Sequence, residues 1–441
     1  MKIKGIIGAL IGTVFMSLFF APHLFAGQTG KLEIWYMQPM ASHQRHLEAV
    51  INEYKKANPG AEINLQTLGF GDFFRKVTAS KAAGHPPDIV YTITSQMWAL
   101  QQKGWLDPVD DVIDKLGGDQ YFLPLPNYTK LDGHYWGVPI SACVMHMEYR
   151  KDLFDKKGLK EPRTWEQILT AARALTEDLD GDGTIDRYGI SMPLKREYVT
   201  GVHFLGFLWG NGGHVLDRNG KVVFNSPETI ETLNFMNELY KYAPPGVTSY
   251  GWMELATTYT MGKVAMTTFS ALKPLADAIR SNETVANNTA ITGMPTRLAD
   301  QKPKGRLGTM NWLLFKDCKS PELGKDFLNF WYAPERMTRW YHAEPVFLVP
   351  GEIPVIESEE YWNNDLIKKY RPALEKMIEL NATGVDVAME HPGILQPNTS
   401  IINQRLIIAE CLQEVVLGEL SAEKAAAKAQ KKMEALIAKQ K

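Results

Sequence analysis

Hydroxyls, amides and flat rings in close succession are the groups that hold a polyhydroxylated ligand, and Thr94-Ser95-Gln96 with Trp98 supplies all of them. The residues before them explain why they stand together. Pro86-Pro87 excludes a helix and stiffens the approach. Ile89, Val90 and Ile93 then make a β-branched run that reads as a buried strand. In an open α/β sheet, ligands lie beyond the carboxyl ends of strands, so the stretch reads as one wall of a binding cleft. It equally fits a strand that ends in an ordinary helix N-cap at Ser95.

A second pattern is Asp178-Leu179-Asp180-Gly181-Asp182-Gly183-Thr184-Ile185-Asp186. Asp178, Asp180, Asp182 and Asp186 stand where a calcium loop has its acids, Gly183 where it has its turn, and Thr184 where it offers a backbone carbonyl. The usual closing glutamate is replaced by Gly189. A structural Ca2+ completed by water or by an oxygen from elsewhere is the expectation, against an Asp/Gly turn as the alternative. His43-x-x-His46 has metal-like spacing but no third ligand, and reads as an exposed pair. No phosphate-cradling glycine loop, HExxH or nucleophile elbow is present, and no catalytic residue or catalytic cofactor is expected.

At 441 residues the chain is too long for one ordinary core, which points to two lobes. A net charge of -2 gives no electrostatic case for nucleic acid. Lys2 and Lys4 precede an apolar run to Phe20, and small residues end at Ala26. That is the form of a secretory signal peptide over residues 1–26, too short in its apolar part to span a bilayer. Cys143, Cys318 and Cys411 are odd in number and far apart, and read as buried thiols.

Strand and helix alternate along the chain, as in a sheet covered by helices. Lys31 to Tyr36 is a strand, and Leu47, Val50, Ile51 and Tyr54 stripe a helix after it. Ile140 to Tyr149 reads as a strand long enough to run between lobes, with Gly262 to Phe269 and Leu313 to Phe315 as further crossings.

Trp35-Tyr36, Asn58-Pro59-Gly60, Pro87-Asp88, Gly137-Val138-Pro139, Lys151-Asp152-Leu153-Phe154, Thr164-Trp165-Glu166, Asn225-Ser226-Pro227-Glu228 and Gly262-Lys263-Val264-Ala265-Met266 follow one another in a familiar order. Together they resemble the extracellular solute-binding proteins of sugar-importing ABC transporters, whose best known members bind maltose-type oligosaccharides. The resemblance implies an α/β fold of two periplasmic-binding-protein lobes (type II) joined by a hinge of crossing segments. One lobe would hold residues 27–139 and 269–313, the other 142–266 and 316–441. It also implies a periplasmic protein, expected to be monomeric, that delivers a carbohydrate or polyol to permease subunits. Tyr149-Arg150 departs from the family's frequent Tyr-Asn.

Sugars present hydroxyl edges and C–H faces, so planar polar groups and aromatics are the candidates. From one lobe these are Tyr36, Gln38, Asp72, Ser95, Gln96 and Trp98; from the other, Glu148, Trp209, Trp252 and Glu254. Phe269, Asn311, Trp312 and His342 are expected at or near the crossings. Asp72, Glu148 and Glu254 leave a secreted carbohydrate-active enzyme as a rival, because carboxylate separation is not visible in sequence. Arg150, Arg196 and Arg297 leave room for an anionic solute such as a glycerol phosphate compound.

Overall fold

The computed structural model describes residues 28–37, 40–69, 72–123 and 128–439. Among them eleven strands join one mixed sheet. Its first part sets Gly60–Leu68, Thr29–Met37 and Ile89–Ile93 parallel, with Gly305–Phe315 antiparallel to the last. Its second part pairs Val264–Ser270 antiparallel with the far half of Val138–Arg150 and parallel with Tyr188–Ser191.

Val138–Arg150 belongs to both parts. Every one of its residues is buried. Between Val138 and Val144 it pairs with Leu307–Trp312 on one side and Val349–Pro350 on the other; from Met145 onward its partners are Val264–Ser270 and Thr289–Gly293. The long crossing read from Ile140 to Tyr149 is therefore present. The second crossing comes just after its strand, where Ala271 takes φ +71° and Leu272 N–H donates to Phe347 O at 3.0 Å.

The lobe boundaries differ from the expected ones: residues 349–352 join the first lobe, where Leu123 N–H donates to Gly351 O at 2.8 Å. Helices Pro321–Trp331 and Pro334–Ala343 return to the first lobe, although residues 316–441 were assigned to the second. Tyr54 OH donates to Asp326 Oδ2 at 2.8 Å, Lys325 pairs with Asp111 at 2.8 Å, and Arg339 pairs with Glu53 at 2.8 Å. The cause is an apolar face, Leu323, Phe327, Leu328 and Trp331, that covers the first part of the sheet. Conversely, Thr289–Gly293 lies inside the span given to the first lobe but extends the second part of the sheet.

Local chemistry explains some element ends. Thr164 and Gln167 form a reciprocal capping box. Ser226 caps its helix by accepting from Thr229 N–H at 3.3 Å. Ser95 does not act as a cap, because the helix Thr94–Gln101 starts at the strand end itself. His43 is buried and not exposed: its ring stacks on Trp340 at 4.2 Å, an apolar surface that a neutral imidazole fills well. The three cysteines are free, and burial pushes the thiols of Cys143, Cys318 and Cys411 up to about 12.

Burial lowers His43 to about 3, His46 to about 4 and His203 to about 3. Each is neutral when folded and takes a proton below about 6.5 when unfolded, so stability present above that pH is lost on acidification. Glu352, pushed by burial up to about 8, acts oppositely, since its protonated form is favoured in the fold. Asp386, pushed by burial up to about 6, acts in the same sense as Glu352, so the net is about one histidine: urea denaturation is expected to show a loss of about 1–2 kcal/mol between pH 6 and pH 5.

Candidate functional site

The carboxyl end of strand Ile89–Ile93 opens directly into helix Thr94–Gln101, and this turn carries the polar residues of the crevice between the lobes. Thr94 Oγ1 lies on Thr309 Oγ1, and Asn311 Nδ2 donates to Thr94 Oγ1 at 3.0 Å, which ties the turn to the neighbouring strand. Gln96 is engaged by Thr92. Ser95 faces the other lobe, where Tyr198 OH approaches its Oγ at 3.4 Å. Tyr198 opens helix Tyr198–Gly210, its carbonyl accepts from Asn403 Nδ2 at 3.3 Å, and the Arg306 guanidinium lies 6.0 Å from its ring centroid.

The segment after Gly384 passes between the lobes at this point. Val387 belongs to the second lobe's core and Ala388 to the first's. Between them and the strand pair Arg306↔Val385 sits Asp386, buried, its Oδ1 accepting from Ala388 N–H at 2.8 Å. Burial pushes its carboxyl up to about 6, against the pull of that N–H and of Arg306. Arg306 Nε, Asn311 Oδ1, Thr399 Oγ1, Ser400 Oγ and Asn403 Oδ1 are buried with no hydrogen-bond partner among the described residues. Unmet polar groups of this kind are costly unless something else satisfies them. One turn further along the helix, a cavity of about 770 Å³ opens between Phe74, Ala99, Gln102 and Lys103 on one side and Ile401, Gln404 and Arg405 on the other. That volume suits a small ligand.

Of the residues expected from sequence, Ser95, Gln96 and Asn311 come together here. Trp252 and Phe269 meet each other at 5.2 Å, with Lys273 Nζ 5.6 Å from the Trp252 ring. The remaining aromatics lie in the core. Tyr36, Tyr91 and Trp312 form one cluster, with ring centroids 4.7 Å and 6.0 Å from Tyr36. Trp98 is fully buried among Phe73, Met97 and Leu100. Trp209 is buried and donates from Nε1 to Glu390 Oε2 at 3.3 Å. His342 Nε2 contacts Tyr361 O at 2.9 Å, within the first lobe. Gln38 lies outside the described residues.

The acids are dispersed. Asp72 pairs with Arg75 at 2.7 Å on the surface, and Glu254 accepts from Gly251 N–H at 2.9 Å at the start of its own helix. Glu148 is buried beside His146 at 3.4 Å, and desolvation raises its carboxyl. Arg150, Arg196 and Arg297 are each held by a carboxylate, Asp152 at 2.6 Å, Glu410 at 3.1 Å and Glu231 at 3.0 Å. Tyr198, Arg306, Asp386 and Asn403 were not singled out in the sequence. Each is ordinary in its own context, and only the crossing topology brings them together.

In the acidic loop, carboxylate oxygens of Asp178, Asp180 and Asp186 lie within 4.8 Å of one another. Asp178 accepts from Gly181 and Gly183 N–H, both at 2.8 Å, which holds its carboxyl below the usual range. Asp182 instead accepts from Thr184 N–H at 2.7 Å. A Cβ on Gly189 would stand 2.1 Å from Ala172 O, so no side chain at that position completes the loop.

Two α/β halves that share a crossing strand and enclose a polar crevice define a two-lobe ligand-binding protein. The chain belongs to the bacterial extracellular solute-binding protein family, whose profile matches residues 40–338. The Escherichia coli K12 protein YcjN, which carries the name of an ABC transporter periplasmic-binding protein, is 24% identical over 352 residues, covering 76% of each chain. A solute-binding protein from Thermotoga lettingae TMO, solved with α-D-tagatose, superposes with TM-score 0.75 at 22% identity, over 92% of this chain and 99% of that one. One from Agrobacterium radiobacter K84, solved with ribitol, gives 0.75 at 21% identity, over 93% and 99%.

Gly201 lets helix Tyr198–Gly210 approach the crevice, since a Cβ there would meet Asn403 Oδ1 at 1.8 Å. Gly201→Ala is expected to cost about 1–3 kcal/mol in urea denaturation through overpacking at this contact.

Proposed function

We propose that this chain binds a neutral sugar or polyol in the crevice beside Ser95 and Tyr198 and presents it to the permease subunits of an ABC importer. The carrying observation is the Ser95–Tyr198 contact at 3.4 Å, which joins the lobes where several buried polar groups lack protein partners. Hydroxyls of a polyol match such groups, and a ligand touching both lobes favours the closed arrangement. The tagatose and ribitol held by the two structural relatives support this chemistry. The dispersal of Asp72, Glu148 and Glu254 favours a binder over a hydrolase, which needs two carboxyls flanking one bond. The engaged state of Arg150, Arg196 and Arg297 removes the three cations that had favoured an anionic solute.

The family supports an extracytoplasmic location. No described helix is long and apolar enough to cross a membrane. Removal of residues 1–26 as a signal peptide, which lie outside the described residues, and a monomeric mature protein complete this reading. The acidic loop Asp178, Asp180, Asp182, Thr184 and Asp186 is proposed as a structural Ca2+ site, supported by the three converging carboxylates.

Calorimetric titration with ribitol, D-tagatose, D-mannitol and maltotriose is expected to give micromolar binding for at least one, about -8 kcal/mol. Tyr198→Phe should weaken it roughly 5- to 10-fold by removing one hydroxyl. No binding by any of the four would overturn the reading. For the loop, millimolar calcium is expected to raise the melting temperature of chelator-treated protein, and Asp178→Ala to abolish that rise; an unchanged melt would remove the ion.

A further inference from the structure

Arg306 is a cation at the junction of the lobes with no anionic partner among the described residues. Its guanidinium is half-buried between the lobes, and among the described residues it makes no ion pair and donates no hydrogen bond. Its only described contact of that kind is with the face of Tyr198. Space for it is provided by Gly308, where a Cβ would lie 2.4 Å from Arg306 Nη1. The arrangement keeps a planar five-donor group beside the crevice without giving it an acceptor.

Asp386 is its counterpart. It follows Val385, which pairs in register with Arg306, and its charge is felt by Arg306 although the two do not form an ion pair. Oδ1 is taken by Ala388 N–H, and Oδ2 receives no hydrogen bond from a described residue. A donor fork and a carboxylate oxygen without protein partners are thus carried by adjacent positions of the Arg306↔Val385 pairing, at the junction of the lobes. A carboxylated ligand would satisfy Arg306 but meet Asp386 as a like charge. Two adjacent hydroxyls satisfy both, one accepting from the guanidinium and the other donating to the carboxylate.

We propose that Arg306 and Asp386 together grip one vicinal diol of a neutral polyol, and so determine which stereoisomers the crevice accepts. This rests on the crevice being the carbohydrate site. A site built to meet both hydroxyls rejects a ligand that lacks one or presents it on the wrong side, because a buried group is then left unpaired. The two residues act as specificity determinants, and Ser95 and Tyr198 hold the remainder of the ligand.

The test is titration of wild type, Arg306→Lys and Asp386→Asn with D-mannitol, ribitol, D-tagatose and D-glucuronate, with melting temperatures measured on each protein. For the polyol that binds wild type best, each variant is expected to weaken binding 10- to 100-fold, and glucuronate is expected not to compete. The charged and titratable groups that act on Asp386 or are acted on by it are Arg306 and Tyr128, and Tyr128 stays neutral because burial raises its hydroxyl. Affinity of the wild type should therefore fall as pH drops through about 6, where Asp386 takes a proton, and stay flat in Asp386→Asn. This wild-type profile decides the matter if a variant does not fold. No polyol binding to wild type would defeat the proposed function itself. Polyol binding that both variants and acid leave unchanged would overturn this inference alone, and tighter binding of glucuronate than of any polyol would overturn it together with the neutral-ligand reading.

Discussion

The structure depends on one strand that has no free edge. Val138–Arg150 is buried along its whole length and hydrogen-bonded on both sides, with its neighbours exchanged near Val144–Met145. Both halves of the sheet take their register from it. His146 and Glu148 alternate onto the same face, so a slip of one residue would carry this buried pair to the opposite side. The exchange of neighbours at one point also divides the molecule mechanically. Each half of the strand is fixed to its own lobe.

The crevice inherits its geometry from this arrangement. Thr94 and Ser95 sit where strand Ile89–Ile93 meets its helix, held by Thr309 and Asn311 on a strand that itself lies against the crossing strand. Tyr198 reaches them from the second lobe, and Asn403 fixes its backbone. Residues 384–390 cross the gap, with Val385 and Val387 packed on one core and Ala388 and Met389 on the other. The polar groups therefore converge because the backbone of the lobe junction is determined, and no single element owns the site.

Much of this was legible in the sequence. The strand and helix alternation, the striped helix carrying Leu47, Val50, Ile51 and Tyr54, and the long crossing all appear in the structure. Ser95 and Gln96 were identified because polar residues just past a strand end are informative in themselves, and Asn311 because it lies near a crossing segment. Trp98, Trp209 and Trp312 show the opposite case. A tryptophan stacked on a sugar and one packed in a core have the same local signature, and the choice depends on which neighbours the fold brings to the ring. Arg306 and Asp386 carried no signal at all, being separated by most of a lobe and joined only through the parallel pairing Gly305↔Gly384 and Arg306↔Val385. The return of helices Pro321–Trp331 and Pro334–Ala343 to the first lobe was hidden for the same reason, since an apolar stripe says that a face is covered but not by what.

The three cysteines bear on how the chain is made. Cys143 and Cys411 lie in different cores, Cys318 is half-covered at the first sheet's edge, and all three thiols are kept far from the thiolate form. Packing and backbone pairing hold the fold without a covalent cross-link, so the folded state does not depend on redox poise. An oxidising destination neither helps these sulfurs to join nor exposes the two buried ones to oxidants, and a reducing host interior is an equally suitable place to produce the folded protein.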